Sequence, residues 1–307
     1  MKLFSNIITA VFFSVLFTVN ISAQSTDRDW WNSLSPAWKK VIQKQHFKGK
    51  DVTPTDEQLQ EIGKMVFLDL ENNKDIKSLA PAEALQLLEI IKARNSGLQS
   101  LDGIDGLINL KEIDCSDNDN INSVMPLSAL NNLEKINCGN TMIKSLVPLR
   151  NLEKLRNLDV HYTTIVDLRI LKDLKNLTTL NVSQNISLFS LDGVNYMYDL
   201  TDLNCSETNV DDLTPLSKLK NLQRLDCSKT KVTSLRPIQL VKSLQDIDCS
   251  DTQIKSKSLD YLIGIPFLTM LRAKNINITA EEQKMFETLL QNRNPNATIL
   301  IIPKKKK

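Results

Sequence analysis

Asp159 and His161 are the two side chains of this sequence that come nearest to acid–base chemistry. Two residues apart on one strand, they would share a face, where a carboxylate can orient an imidazole as a general base. The sequence contains no Gly-x-Ser-x-Gly elbow, no His-Glu-x-x-His pair and no phosphate-binding glycine loop to accompany them. The second histidine, His46, lies far away along the chain. We therefore predict that the protein is not an enzyme and has no catalytic residues.

Cysteines are the other reactive side chains. Exported proteins often pair them in disulfides, and an odd count needs an explanation. All five occupy one column of an internal repeat, at Cys115, Cys138, Cys205, Cys227 and Cys249. Strands about 4.8 Å apart with parallel Cβ vectors do not suit a disulfide, and no histidine or carboxylate shares the column to bind a metal. We predict five free thiols in the core, no metal and no cofactor.

The cysteine column belongs to a repeat that fills most of the chain. Its period places Val160 and Val182 in the long gap between Cys138 and Cys205, and extends the column to Leu70, Ala93 and Ala273. Ten repeats of 22 to 24 residues result, over residues 65–278. Leu or Met stands five residues before each column position, and Leu or Ile two residues before it. Such units cannot bury their apolar face alone and must stack on one another.

The repeat unit reads Leu-x-x-Leu-x-Cys-Ser-x-Thr, as in the segment from Leu200 to Thr208, and it resembles the short, internalin-like class of bacterial leucine-rich repeats. The resemblance covers about residues 60 to 278 and implies an α/β fold, a right-handed leucine-rich-repeat solenoid or horseshoe. Short parallel strands would line its concave face, and 3-10 or irregular segments its convex face. Three repeats of 23 residues carry Asn instead of Thr three residues after the column, at Asn73, Asn118 and Asn185, where an extra residue in the turn calls for a side chain that satisfies backbone groups.

Candidate binding residues follow from the alternation of side chains along each strand. With the column turned inward, the residues directly before and after it are predicted to face the concave side. The residues after it are small, mostly Ser. The residues before it form a stripe of Asp and Asn, and we predict these as ligand-binding: Asp114, Asn137, Asp159, Asn181, Asn204, Asp226 and Asp248.

His161 and Tyr162 interrupt this regular pattern in the fifth repeat. They replace the Ser or Gly and the polar residue of neighbouring repeats, and we predict them as part of the concave binding face. A tyrosine near the centre of an interface is a common hot spot. The alternative is drift at a solvent-exposed position, since repeat surfaces vary freely where packing does not constrain them.

Both ends of the chain carry recognisable signals. Lys2, an apolar stretch and Ser22-Ala23 predict a secretory signal peptide at residues 1–23; an uncleaved membrane anchor is the alternative, although the apolar run is short for a span. Residues 24–64 predict a helical amino-terminal cap, with helix starts at Ser35-Pro36 and at the Thr55/Gln58 capping box. Residues 279–303 predict a helix–strand cap that begins with a Thr279/Glu282 capping box, and residues 304–307 form a basic tail.

The charge of the chain is nearly balanced, with 38 Lys and Arg against 36 Asp and Glu. That balance argues against nucleic acid, because such binding depends on clustered positive charge. We predict an exported protein (secreted, periplasmic or at the cell surface) that acts by non-covalent binding to a protein partner, with no membrane span once the signal is removed. A carbohydrate-binding surface protein and a structural envelope component are the alternatives.

Overall fold

A computed structural model describes residues 27–304, so the predicted signal segment at 1–23 and the last three lysines lie outside the described residues. The described chain forms one parallel sheet of eleven strands that follow one another in chain order. Strands β1 to β11 are Phe67–Asp69, Ile90–Lys92, Glu112–Asp114, Lys135–Asn137, Asn157–Asp159, Thr179–Asn181, Asp202–Asn204, Arg224–Asp226, Asp246–Asp248, Met270–Ile276 and Thr298–Pro303. This arrangement is the predicted leucine-rich-repeat solenoid.

Each strand pairs in register with the next. Ile113 of β3, for example, lies opposite Ile136 of β4, and Ile136 lies opposite Leu158 of β5. The hydrogen-bond ladder continues past the strand ends. Each column residue donates its N–H to the last strand residue of the next repeat, as Cys115 does to the carbonyl of Asn137 at 2.8 Å. In-register stacking therefore places equivalent residues of successive repeats side by side.

Short 3-10 segments return the chain from one strand to the next. They span Ala80–Ala84, Met125–Leu127, Val147–Leu149, Arg169–Leu171, Val194–Tyr196, Thr214–Leu216, Arg236–Ile238 and Ser256–Leu262. Five of them have Pro in their first turn, where its fixed φ suits the helix and its missing N–H is not needed. These segments form the side of the solenoid opposite to the strands.

One continuous apolar core runs the length of the solenoid. All of the Leu and Ile positions two residues before the column are buried, as are the cysteines. Thr and Asn three residues after the column close the turns: Thr208 donates to the carbonyl of Cys205 at 2.7 Å, and Asn118 donates to the carbonyls of Ala93 and Cys115. The predicted backbone role of Asn in the longer repeats is confirmed at Asn118 and Asn185.

Helices cover both ends of the solenoid. In the amino-terminal region, helix α1 spans Pro36–His46 and α2 spans Asp56–Gly63, with Ser35 as the first N-cap and the predicted Thr55/Gln58 capping box present. Trp31 and Trp38 are buried, and the Trp38 indole donates to the Ser78 carbonyl at 3.2 Å. The aromatic rings therefore close the open core.

Glutamine side chains protect the outer edges of the terminal strands. Gln45 of α1 bonds to both the N–H and the carbonyl of Asp69 on β1. At the far end, helix α3 spans Ala280–Arg293 behind the predicted Thr279/Glu282 box, and its Gln283 donates to the Ile301 carbonyl of β11. Unpaired strand edges invite pairing with other chains, and these contacts blunt them.

The buried face of α3 is narrower than its sequence indicates. Phe286 and Leu290 are buried, whereas Met285 and Leu289 are exposed. Only one side of this helix contacts the last repeat. Two of its four apolar residues pack there, and the other two face solvent.

Candidate functional site

The Asp and Asn stripe lies on the outer face of the sheet, where all seven side chains are half-buried. Each of them accepts a hydrogen bond from the backbone N–H two residues later, at 2.9 to 3.1 Å. This local bond is the one by which Asp and Asn stabilise turns. The stripe therefore has a structural role in every repeat from Asp114 to Asp248, and this role was not predicted from the sequence.

The prediction that the residues after the column form an exposed hydroxyl stripe is wrong. Ser116, Ser183, Ser206 and Ser250 are buried, and Ser116 and Ser206 donate their hydroxyls back to Asp114 and Asn204. Strands β1 to β9 end one residue before the column, so the alternation of faces does not continue into the turn.

Once the turn bonds are made, the second polar atom of each stripe residue remains to face solvent. Several of these atoms have partners: Asn137 donates to Asp114 at 3.2 Å, and Asn181 donates to Asp159 at 3.0 Å. The second carboxylate oxygen of Asp248 accepts a hydrogen bond from Arg272 Nε at 3.0 Å. Over residues 27–304, Asn204 and Asp226 are the two stripe residues whose outer atoms make no hydrogen bond within the protein.

Ion pairs across neighbouring strands flank these two residues. Arg224 pairs with Asp202, and Arg272 pairs with both Asp246 at 2.6 Å and Asp248. Acidic and basic residues alternate across these strands and pair with one another, Asp202 with Arg224 and, in the adjacent turns, Glu207 with Lys229. Asp226 and Asp248 lie on adjacent strands, and Arg272 balances the charge of Asp248.

A shallow groove of about 370 Å³ follows the outer face between these ion pairs, and we call it the sheet groove. It is lined by polar and charged side chains that include Asp159, Asn181, Asn204 and Asp226, with buried leucines beneath them. Four of the nine predicted binding residues therefore meet in one depression. Asp114 and Asn137 lie in earlier repeats outside it.

His161 stands at one end of the sheet groove and is bound to Asp159. Its Nδ1 lies 2.7 Å from Asp159 Oδ1, and this hydrogen bond raises the pKa of the imidazole above its usual value, against the opposing effect of burial. Burial would raise the pKa of Asp159, but its bonds with His161 lower it overall. The bond therefore favours the charged form of both groups, and Asp159 fixes the orientation of the imidazole ring.

Gly139 explains how the imidazole fits. The neighbouring repeat has Gly where five of the ten repeats have Ser, and a Cβ at that position would lie 2.2 Å from two atoms of the His161 ring. The ring therefore occupies the space that a serine side chain fills in other repeats. This relation was not visible in the sequence, because it joins residues 22 positions apart through the stacking of repeats.

Tyr162 does not face the sheet groove, contrary to the prediction. It occupies the turn position that has a positive φ in all ten repeats, and its own φ is 48°. It lines a different depression together with Met142 and Ile186. His161 and Tyr162 thus belong to two surfaces and do not form one hot spot.

The five cysteines are free and buried. Burial raises the pKa of Cys205 and Cys249 to about 12, which keeps both thiols protonated and unreactive at neutral pH. The prediction of free, buried thiols is therefore confirmed, and Cys115 Sγ and Cys138 Sγ of neighbouring repeats lie 2.8 Å apart without a disulfide bond.

Comparison with known proteins identifies the fold. No protein-family model and no curated protein matches the sequence. Among solved structures, internalin InlF from Listeria monocytogenes aligns with a TM-score of 0.66 at 23% identity, over 87% of this chain and 68% of that one. The functional domain of InlJ from the same organism, which includes a cysteine ladder, gives 0.66 at 19% identity, over 87% of this chain and 58% of that one. A plant peptide hormone receptor, RGFR1 in complex with RGF2, gives 0.60 at 18% identity, over 78% and 38% of the two chains.

These similarities show an internalin-like leucine-rich-repeat fold. Stacking of repeats gives a solenoid of this kind an extended surface. Across residues 27–304, no helix combines the length and apolar character that a bilayer span requires.

Proposed function

We propose that the protein is exported and binds a protein partner through the concave side of the solenoid, at the sheet groove. The observation that carries this proposal is the pair Asn204 and Asp226. Their outer polar atoms have no partner within the described residues, although most polar groups around them are paired. Export rests on the sequence of residues 1–23, and no catalytic role is proposed for the Asp159–His161 pair.

Because Asn204 and Asp226 use their Oδ1 atoms in the turns, the free Nδ2 of Asn204 and the free Oδ2 of Asp226 favour a ligand that offers both a hydrogen-bond acceptor and hydrogen-bond donors. Asp226 accepts such donors, and Arg224 and Arg272 are held in place by their own carboxylates, so little side-chain ordering remains when a partner binds. Ordered charged groups of this kind mainly determine specificity and association rate.

Two substitutions test the groove without disturbing the fold. Asp226→Asn removes the outer negative charge but keeps the oxygen that accepts from Ser228, and Asn already occupies this position in β7. Thr179→Arg places a large cation in the groove, at a strand position where Arg224 is accommodated two strands away. Asp114→Asn is the matched control, because it makes the same chemical change outside the groove.

The chain from residue 24 onward, immobilised, is used to capture proteins from the culture medium and envelope fraction of the source cells. We expect a captured protein whose binding weakens at least tenfold with Thr179→Arg and measurably with Asp226→Asn, but is unchanged with Asp114→Asn. Partners that bind all four forms equally would refute the sheet groove as the binding surface. A glycan-array signal lost with Thr179→Arg would instead indicate a carbohydrate ligand.

A further inference from the structure

A second surface, away from the sheet groove, carries exposed apolar side chains. Met142, Tyr162 and Ile186 are 49%, 57% and 73% exposed, and they line one depression of about 740 Å³ in the turns that follow β4, β5 and β6. We call these three residues the turn patch. Val166 and Phe189, in two of the same turns, are also exposed, although each directly follows a buried core residue.

The next three repeats show that the fold does not require apolar residues here. Their equivalent turn positions hold the pairs Glu207 and Asn209, Lys229 and Lys231, and Asp251 and Gln253. The apolar residues are thus confined to three consecutive repeats. Contiguous apolar side chains on a surface that is otherwise polar are typical of an interaction site.

Tyr162 strengthens this argument. Its backbone φ of 48° lies in the left-handed region, which disfavours bulky side chains, and the other nine repeats have Asn, Asp, Gln, Glu or Lys at that position. The tyrosine is therefore unfavourable for the turn, and its ring is exposed rather than packed in the core.

The charge beside the turn patch indicates the chemistry of the partner. Asp119 lines the depression, is exposed, and makes no ion pair or side-chain hydrogen bond within the described residues. No Lys or Arg is among the residues that line this depression. Tyr and Met are enriched in protein interfaces, and two aliphatic members of the patch offer little to a sugar ring.

We propose that the turn patch is a second docking surface, for a protein segment that presents apolar side chains next to Lys or Arg. It shares no lining residue with the sheet groove, so the two surfaces can be occupied at the same time. The partner's apolar side chains fill the depression between Met142, Tyr162 and Ile186, and its basic group pairs with Asp119.

The patch variant for the test copies residues from later repeats, where the fold already accepts them: Met142→Asn, Tyr162→Glu and Ile186→Asn together. The control variant, Leu240→Asn with Phe267→Asn, removes two exposed apolar side chains elsewhere on the solenoid. A third variant, Asp119→Asn, removes only the charge. Circular dichroism and thermal unfolding verify that all three fold like the wild type.

A random peptide library displayed on phage is selected on the wild type and counter-selected on the patch variant. We expect peptides with apolar residues beside Lys or Arg, bound at least tenfold more weakly by the patch variant and severalfold more weakly by Asp119→Asn. Their binding is expected to be unchanged in the control variant and in Asp226→Asn. That last comparison separates failure of this inference from failure of the sheet groove.

The inference is overturned if no selected peptide depends on the patch, or if patch-dependent peptides lack basic residues. Sedimentation of the wild type and the patch variant supplies the remaining test. A concentration-dependent dimer that disappears in the patch variant would show that the surface joins two copies of this chain, which also contradicts the proposal.

Discussion

The sheet groove and the turn patch differ in how the fold uses their residues. On the sheet face, the Asp and Asn side chains hold the turns together, so their regular occurrence reflects folding as well as any binding. In the turn patch, the left-handed backbone at Tyr162 disfavours a bulky side chain, and Met142 and Ile186 are exposed at positions that are polar in later repeats. A departure from polarity there has no structural cause, and it is therefore the stronger indication of selection for contact.

This difference changes how a repetitive surface is interpreted. When Asp or Asn recurs at the same position of every repeat, the first explanation is structural, because each repeat needs that side chain to close its turn. We propose as binding groups the stripe residues whose second polar atom has no partner within the described residues, Asn204 and Asp226. Apolar residues at exposed turn positions are informative in a different way, because they are costly in water and unnecessary to the repeat.

The largest effect is expected from Gly139→Ser on the sheet face. The new Cβ would overlap the His161 ring, so the ring must rotate away and lose its bond to Asp159. Forcing an extra side chain into an occupied space costs about 1 to 3 kcal/mol, and loss of the partly exposed ion pair adds at most about 1 kcal/mol, so we expect the free energy of unfolding to fall by about 1 to 4 kcal/mol in denaturant titrations.

The double variant Gly139→Ser with His161→Ser is the control for this prediction. Ser pairs with Ser at these positions in the last complete repeats, so the double variant should recover most of the lost stability. If it is as unstable as the single variant, steric conflict with His161 is not the cause.

A smaller effect is expected from Asn204→Ala. The variant loses the acceptor for the N–H and the hydroxyl of the buried Ser206, and loss of a comparable capping bond costs about 0.5 to 2 kcal/mol. Asn204→Asp keeps the acceptor and should unfold close to the wild type in thermal scans. Equal loss in both variants would mean that the stripe does not stabilise the turns.

The fold was predictable because its determinants repeat or are local. Leu and Ile recur with the period of the solenoid, and although the pattern of one repeat is weak evidence for a strand, ten repeats of it identify the fold. The capping boxes at Thr55 and Thr279 lie within four residues of sequence, and both are present in the structure.

The site was only partly predictable, and the reason is the length of the strands. Most strands are three residues long and end before the column, whereas the prediction extended their alternation two or three residues further. Because of that extension, Ser116 and its equivalents were wrongly predicted to be exposed, and Tyr162 was wrongly predicted to lie beside His161 on one face. The fit of His161 against Gly139 and the pairing of Arg272 with Asp248 depend on stacking between repeats, which no single repeat reveals.

Tyr162→Asn tests the cost of the turn patch. Asn adopts the left-handed region more readily than Tyr, so this variant should be more stable than the wild type by about 0.5 to 1 kcal/mol. The opposite sign would show that the Tyr162 ring contributes to packing. Gln184→Asn, at the same turn position in the next repeat, serves as the control, and it should be stabilised to a similar extent because the same backbone preference acts there.

The smallest effect concerns the pH dependence of the Asp159–His161 pair. The pKa of His161 is raised and that of Asp159 is lowered by their bond, so the pair stabilises the fold most between the pKa values of the unfolded groups, about 3.9 and 6.5. Its contribution, at most about 1 kcal/mol for a partly exposed pair, declines as pH rises through the pKa of His161 or falls through that of Asp159. An NMR titration in a His46→Gln background should show a His161 pKa above the ordinary value, lowered by Asp159→Asn and less so by Asp117→Asn. An identical His161 titration in all three proteins would mean that the imidazole does not pair with Asp159 in solution.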